Sequence, residues 1–387
     1  MVKTNQDQTN SQSLSKLWEE AYTYAIGKTR NNIDAFSDGY PAPSSIKNVY
    51  PKITNTEWTS SFYNGMLWLS YLHTKDEVFK KAAQQTLKDY QNRLRERINT
   101  NTHDLGFLYI LSAKAEYLIT GNEEAKETAL LAADLLMERY HSKAGIIQAW
   151  GDLDDPNQRG RIIIDCLMNI PLLFWATETS GNQSYREAAL RHLEQSRNTL
   201  IRDDDTTFHT YYFDTETGKP IRGITAQGYS DNSCWARGQA WGIYGLAIAY
   251  TYTQEQGCII DAKRLANYFL SNLPTDLVCY WDLIFTEGDE ERDSSGAAIA
   301  VCGLLLLSSL LDEEDPDKER YQKSAEAILK SLCYTYTSQS DPTSNGILLH
   351  AVYGKPNNEG IDECNIWGDY FFMEALGTLL RTAKHFW

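Results

Sequence analysis

The feature that most narrows the fold of this 387-residue chain is an alternation between two kinds of helical segment. Apolar residues recur at helical spacing over roughly 13–29, 59–73, 75–98, 104–120, 122–141, 163–180, 183–200, 234–254, 258–272, 293–311, 317–338 and 367–386. One kind is apolar most of the way round and rich in small residues, as in Ser295-Gly296-Ala297-Ala298-Ile299-Ala300-Val301-Cys302-Gly303. The other carries one charged face, as in Phe79-Lys80-Lys81-Ala82-Ala83 or Tyr321-Gln322-Lys323-Ser324-Ala325. A helix apolar on every side is buried on both sides, and an amphipathic one on a single side. The joints repeat too. Tyr71-Leu72-His73-Thr74-Lys75-Asp76, Tyr117-Leu118-Ile119-Thr120-Gly121-Asn122 and Glu178-Thr179-Ser180-Gly181-Asn182 each end a buried segment and restart a charged one, at a period of roughly 45–70 residues. Six such hairpins closed in a ring predict six inner and six outer helices, an all-α (α/α)6 barrel. A linear solenoid would call for polar capping repeats. The last segment instead runs into apolar Phe386-Trp387, which favours closure.

The long connections fall between an outer helix and the next inner one, at 30–58, 142–162, 201–233, 273–292 and 339–366. Long loops carried on a rigid scaffold are where function usually sits. Within 208–233 the alternation Phe208-His209-Thr210-Tyr211-Tyr212-Phe213, followed by Asp214-Thr215-Glu216-Thr217-Gly218, predicts a small hairpin on the rim. Residues 1–12 are polar and read as a disordered tail, leaving 13–387 as one domain.

Composition excludes more than it selects. A formal charge of −16 argues against nucleic acid or an anionic membrane as partner, and obliges any site for an anion to supply its own cations. The 24 Tyr and 10 Trp suit stacking on sugars or filling a large core. Seven Cys without CxxC or CxH spacing read as reduced thiols, and the seven His form no metal-ligand cluster in the sequence, so no metal or cofactor is expected. With no apolar leader and no membrane span at the start, the expected location is cytoplasmic, a periplasmic chain whose signal has been removed being the alternative.

Two acids stand out. Asp104, in His103-Asp104-Leu105-Gly106-Phe107, heads an apolar run, where an aspartate is ordinarily a helix N-cap. Asp165 lies inside Ile162-Ile163-Ile164-Asp165-Cys166-Leu167-Met168, where a carboxylate must be paired, hydrogen-bonded or protonated. On a barrel both would point into one mouth as a catalytic pair. Asp165, flanked by Ile and Leu, is expected to be the more desolvated and neutral acid. Asp104, beside His103 at a helix start, is expected to stay ionised. Trp58, Trp150, His209, Gln227, Arg237 and Trp241 lie on the neighbouring loops and helix starts. A cation such as Arg237 near a helix start opposes the macrodipole, so a ligand carboxylate is expected to be its partner. The dull readings are loop packing for Trp58 and Trp150, and a satisfied structural histidine for His209.

Taken in order, His103-Asp104-Leu105-Gly106-Phe107, Gln148-Ala149-Trp150-Gly151, Ile164-Asp165-Cys166-Leu167-Met168-Asn169, Gln227-Gly228-Tyr229, Trp235-Ala236-Arg237-Gly238-Gln239-Ala240-Trp241-Gly242 and Asn365-Ile366-Trp367-Gly368-Asp369-Tyr370 resemble the motifs of the unsaturated glucuronyl hydrolases, glycoside hydrolase family 88. The resemblance runs from about Trp58 to Trp367. It implies an (α/α)6 barrel that removes a 4-deoxy-L-threo-hex-4-enopyranuronosyl residue from the non-reducing end of fragments of hyaluronan, chondroitin or heparin. By the same resemblance Asp165 is the general acid and base that protonates C4 and directs water to C5, and Asp104 assists from the other side. His103, His209, Gln227, Arg237 and Trp241 contact the uronate, Trp58 and Trp150 wall the pocket, and Gly223 and Thr225 offer backbone groups, with Tyr353 at the last long loop.

One stretch departs from the family pattern. Members acting on sulfated chondroitin carry Ser-x-x-Ser-x-Lys after that tyrosine, whereas this chain reads Tyr353-Gly354-Lys355-Pro356-Asn357-Asn358-Glu359-Gly360. Both hydroxyls are missing and an acid replaces the lysine, so an unsulfated or differently sulfated disaccharide is the expected substrate. Rival readings are the sister activity on unsaturated rhamnogalacturonan fragments, a metal-dependent phosphohydrolase built on His103-Asp104, and a non-enzymatic sugar-binding module. Oligomeric state is not legible in the sequence.

Overall fold

The computed structural model describes residues 5–387. Its inner helices are α2 (Ser60–Thr74), α4 (105–120), α6 (166–180), α8 (Ala236–Thr253), α10 (Ser294–Leu310) and α12 (Ile366–Leu379). The outer ones are α1 (Asn5–Ala35), α3 (77–95), α5 (Glu123–Met137), α7 (Gln183–Leu200), α9 (Gln256–Ser271) and α11 (316–336). Each inner helix packs on the next, and α12 returns to α2 while α1 covers that seam. This is the (α/α)6 barrel anticipated from periodicity. At the seam Phe62 meets Tyr370 and Phe371 with ring centroids 5.7 and 5.8 Å apart. A Cβ on Gly65 would lie 2.4 Å from the Tyr370 ring. Gly245 likewise lets α8 reach the backbone of Leu167. The small residues of the inner segments are what bring six helices to one axis.

The joints form for the reasons their residues suggest. Lys75, Gly121 and Gly181 end helices in the left-handed region, at φ 59, 74 and 79°. The next residue then caps the following helix: Asp76 accepts from Val78 N, Asn122 from Glu124 N and Asn182 from Ser184 N. Such caps stabilise by about 1 kcal/mol each.

Several boundaries differ from the periodic reading. Of the tail anticipated at 1–12, residues 1–4 lie outside the described residues and α1 is drawn from Asn5. The inner helix α4 widens into a π-helical turn over Ile110–Lys114, and α3 is interrupted at Thr86. The last helix stops at Leu379 rather than 386. Phe386 and Trp387 are nonetheless buried, and Trp387 stacks on Phe371 at 5.8 Å and 17°. Apolar periodicity recorded their burial, not their backbone.

The long connections gather at one end and pair into small antiparallel sheets, β1 (Tyr40–Pro41) with β2 (Lys52–Ile53) and β3 (Tyr140–His141) with β4 (Ile146–Ile147). The anticipated rim hairpin is β6 (Thr210–Phe213) with β7 (Pro220–Ile224). A third strand, β5 (Arg161–Ile163), joins its other edge in the order β5-β6-β7. The segment expected to open a helix at 163 is therefore a strand up to Ile163, with Ile162 opposite Tyr211 and Ile163 opposite Thr210. A second hairpin, β8 (Ala351–Gly354) with β9 (Glu359–Glu363), stands across the mouth.

Candidate active site

Asp104 and Asp165 occupy the N-cap positions of α4 and α6, yet neither carboxylate accepts a hydrogen bond from its own helix. The ordinary capping role is unfilled, and both side chains turn to one cavity of about 520 Å³. The two helix starts can converge because residue 106 is glycine. A Cβ there would lie 2.3 Å from Asn169 Cα. Asn169 clamps the pair: its Oδ1 accepts from Phe107 N at 2.8 Å, and its Nδ2 donates to Asp104 Oδ1 at 3.4 Å and to the Asp165 carbonyl at 3.2 Å. Thr102 Oγ1 donates to Asp104 Oδ2 at 2.7 Å.

His103, buried, lies between the acids, with Nε2 3.5 Å from Asp104 Oδ1 and 3.2 Å from Asp165 Oδ1. Apart from His103, no group among the described residues donates to Asp165 Oδ1. One donor atom from each of the three residues lies within 4.8 Å of the others, the one such group among the described residues. Nε2 of His103 already faces both carboxylates, the position a cation would take to bridge them.

Electrostatics corrects the expected division between the acids. Asp104 is the more enclosed, with its side chain 13% exposed against 17% for Asp165. Burial, then the neighbouring Asp165 charge, push the Asp104 carboxyl up against the lowering pull of His103. The apolar neighbours of Asp165 misled because Ile162 and Ile163 are strand residues and Asp165 is the turn after them, where direction changes with every residue. For His103, burial lowers the imidazole, but Asp104 and Asp165 outweigh it and the net shift is upward.

The remaining walls come from the loops. Trp58 donates from Nε1 to Tyr353 Oη at 3.0 Å and stacks on Trp367 at 5.2 Å. Trp150 is 42% exposed and lies on the Arg161 guanidinium at 3.6 Å, leaving its other face to the mouth. His209 Nδ1 accepts from Ala226 N at 3.0 Å, which leaves Nε2 as the donor, and burial pushes the ring down to about 4. Gln227 Nε2 donates to the Tyr353 carbonyl at 3.0 Å. These residues line the cavity with His103 and both acids.

Four anticipated residues do not line it. Trp241 is core, packed on Phe107 and Phe371 at 5.3 and 5.4 Å. Gly223 lies in β7 over the Phe208 ring, and Thr225 Oγ1 accepts from Gly228 N at 2.7 Å. Arg237 does not await a ligand. Its Nη1 meets Asp293 Oδ2 at 2.9 Å and the Val352 carbonyl at 2.5 Å, and its Nη2 meets the Tyr353 carbonyl at 2.6 Å. Buried between Trp235 and Trp367, it straps β8 to the barrel. Its charge is balanced by an aspartate 56 residues away in sequence.

Sequence reasoning missed Glu57, Asn99, Asn101, Thr102, Asn357 and Arg93 in the lining. The polar run Asn99-Thr100-Asn101-Thr102 directly before His103 was a usable signal. Arg93 gave none, since a charge on an amphipathic helix normally faces water. It is buried, and holds the carbonyls of Glu57, Thr56, Ile98 and Asn99 together with Asn55 Oδ1. Arg139 is also buried on carbonyls, of Gln148 and Gly151, and burial pulls it down to about 10. These guanidiniums, balanced by carbonyl and amide oxygens, supply the local positive field that an acidic chain needs to hold an anion.

The Glycosyl Hydrolase Family 88 model matches residues 34–382. The unsaturated chondroitin disaccharide hydrolase of Streptococcus agalactiae serotype III (strain NEM316) is 46% identical over 380 residues, covering 98% of this chain and 95% of that one. The unsaturated glucuronyl hydrolase of Bacillus sp. (strain GL1) is 44% identical over 372 residues, covering 96% and 99%. A crystal structure of unsaturated glucuronyl hydrolase from Streptococcus agalactiae superposes with a TM-score of 0.94 at 46% identity, over 96% of this chain and 94% of that one.

Proposed function

The chain belongs to glycosyl hydrolase family 88, and from that premise we propose that it releases the 4-deoxy-hex-4-enopyranuronosyl residue from the non-reducing end of glycosaminoglycan-derived oligosaccharides. The observation that carries the reading is the convergence of Asp104, Asp165 and His103 in one aromatic-walled cavity. The names of the relatives favour this substrate over rhamnogalacturonan fragments.

The reaction needs one proton from the two facing carboxyls, and burial raises the Asp104 carboxyl above its ordinary range. We assign delivery of that proton to Asp165, which lines the cavity and is not held by Thr102 as Asp104 is. Asp104, fixed by Thr102 and Asn169, faces the positive charge that develops at C5. The proton adds to C4 of the enol ether. Water then adds to C5 and returns a proton to the carboxylate. The hemiketal so formed opens to a 5-keto uronate and expels the partner sugar, one water being consumed in all. Attack falls on the double bond and not on the anomeric carbon, so carboxyl separation carries no stereochemical meaning here. Arg93 and Arg139 offset the uronate charge through the field.

The partner sugar in this reading is unsulfated. Lys355, which could have met a sulfate, is bound to Glu291 and lies 3.8 Å from Glu290. Glu57 and Glu359 line the mouth on that side. All seven cysteines are buried and unpaired, which supports a reducing, cytoplasmic setting, and no described helix is long and apolar enough to cross a membrane. The test follows loss of the double-bond ultraviolet absorbance across lyase-made disaccharides with and without sulfate, run in heavy water. Faster turnover of the unsulfated members and deuterium at C4 of the product are expected. Absorbance that persists with every disaccharide would overturn the reading.

A further inference from the structure

His192, on α7 and fully buried, accepts a hydrogen bond at Nδ1 from Ile147 N at 3.0 Å. A neutral imidazole that accepts at one nitrogen carries its proton on the other, so Nε2 of His192 is an N–H donor. That Nε2 has no partner among the described residues, and neither does Nδ1 of His103. Both histidines hang on the same short segment, His192 from Ile147 N and His103 through its own N–H to the Ala149 carbonyl at 2.5 Å. Burial lowers the His192 imidazole, and a charge on His103 lowers it further. Two orphaned ring nitrogens, one obliged to donate and the other able to accept, thus belong to histidines tied to positions 147 and 149 of one segment in the protein interior, where an unmade hydrogen bond costs about 1–3 kcal/mol.

We propose that His192 is a positioning residue for the reaction. Its Nε2–H is given through one water to Nδ1 of His103, which fixes His103 as the neutral Nε2–H tautomer facing Asp104 and Asp165. The inference rests on the hydrolase reading of the site and explains how the proton stays where that reading needs it. Asp104 and Asp165 draw His103 toward the imidazolium, with Arg139 opposing them. A charged His103 would hold the proton that C4 must receive. His192 resists this, because a proton on His103 Nδ1 would point at another N–H. The relay from Ile147 N–H through His192 to His103 therefore leaves the proton on the carboxyl pair.

Nitrogen-15 NMR of histidine-labelled wild-type protein at neutral pH tests this. Resonances assigned by their loss in His103→Gln should show Nε2 protonated and Nδ1 bare. In His192→Phe, His103 should charge more readily and kcat should fall about 10-fold or more. The alkaline limb of the kcat profile should also move to lower pH while KM stays within about twofold. His192→Gln, which keeps a donor, should restore the limb. A wild-type His103 protonated at Nδ1, or an alkaline limb that does not move in His192→Phe, would overturn the relay. Turnover with the wrong tautomer would leave the hydrolase reading standing, and the right tautomer without turnover on any disaccharide would remove that reading instead.

Discussion

Replacing Gly106 by alanine tests whether the approach of α4 to α6 is what makes the carboxyls a pair. The added Cβ would lie 2.3 Å from Asn169 Cα and 2.4 Å from its carbonyl oxygen, against the 3.4 Å of ordinary contact, so the helix starts must part by about 1.1 Å. Both obstacles are backbone and cannot rotate away. Overpacking of this kind costs about 1–3 kcal/mol, offset by roughly 1 kcal/mol of helix propensity gained on losing glycine. The loss in stability is thus modest. Parting the acids by about 1 Å should nonetheless lower kcat/KM about 100-fold, since displacement on that scale typically costs that much. Gly27→Ala, in α1 where nothing lies within 4 Å of the new atom, is the control and should be stabilising and fully active. Urea unfolding and the ultraviolet assay on the same preparations read both effects. Gly106→Ala with wild-type kcat/KM would show that catalysis does not depend on this crossing.

Other outcomes follow from the same geometry. Asp165→Asn should lower turnover by about 100-fold or more while calorimetry still detects disaccharide binding; equal loss of both would count against its role in proton transfer. Arg237→Met leaves Asp293 buried without its partner, and a thermal melt should show a loss of about 3–5 kcal/mol. Little change would mean that β8 is held by its sheet alone. Folded His192 is pushed down to about 3 by burial, so between that value and the ordinary 6.5 the unfolded chain binds more protons and stability falls as pH falls. Wild type should therefore lose about 2 kcal/mol more than His192→Gln between pH 6.5 and 5, in urea titrations at each pH. Equal losses would refute the shift.

The twelve helices and their joints could be read without coordinates because they depend on local terms. A left-handed Gly121 followed by capping Asn122 specifies its turn from residues in the same stretch of chain. The presence of Asp104 and Asp165 at the mouth was legible for the same reason, as each heads an apolar helix. Their relative dryness was not, since it depends on β5 pairing with β6 and thereby setting which way residue 165 turns. Arg237 shows the limit most plainly. Its position in α8 was evident, but its partner Asp293 and the strand it straps belong to segments far along the chain. Arg93 looked like a solvated charge until the 55–57 and 98–99 loops folded over it. The amino-acid order alone determined which segments are helical and how their joints turn, through backbone propensities and caps that act within a few residues, but not the end of the last helix or the strand at 161–163. Only the closed ring decided which buried charges meet, because burial and pairing depend on distances between residues that are near in space and remote in sequence.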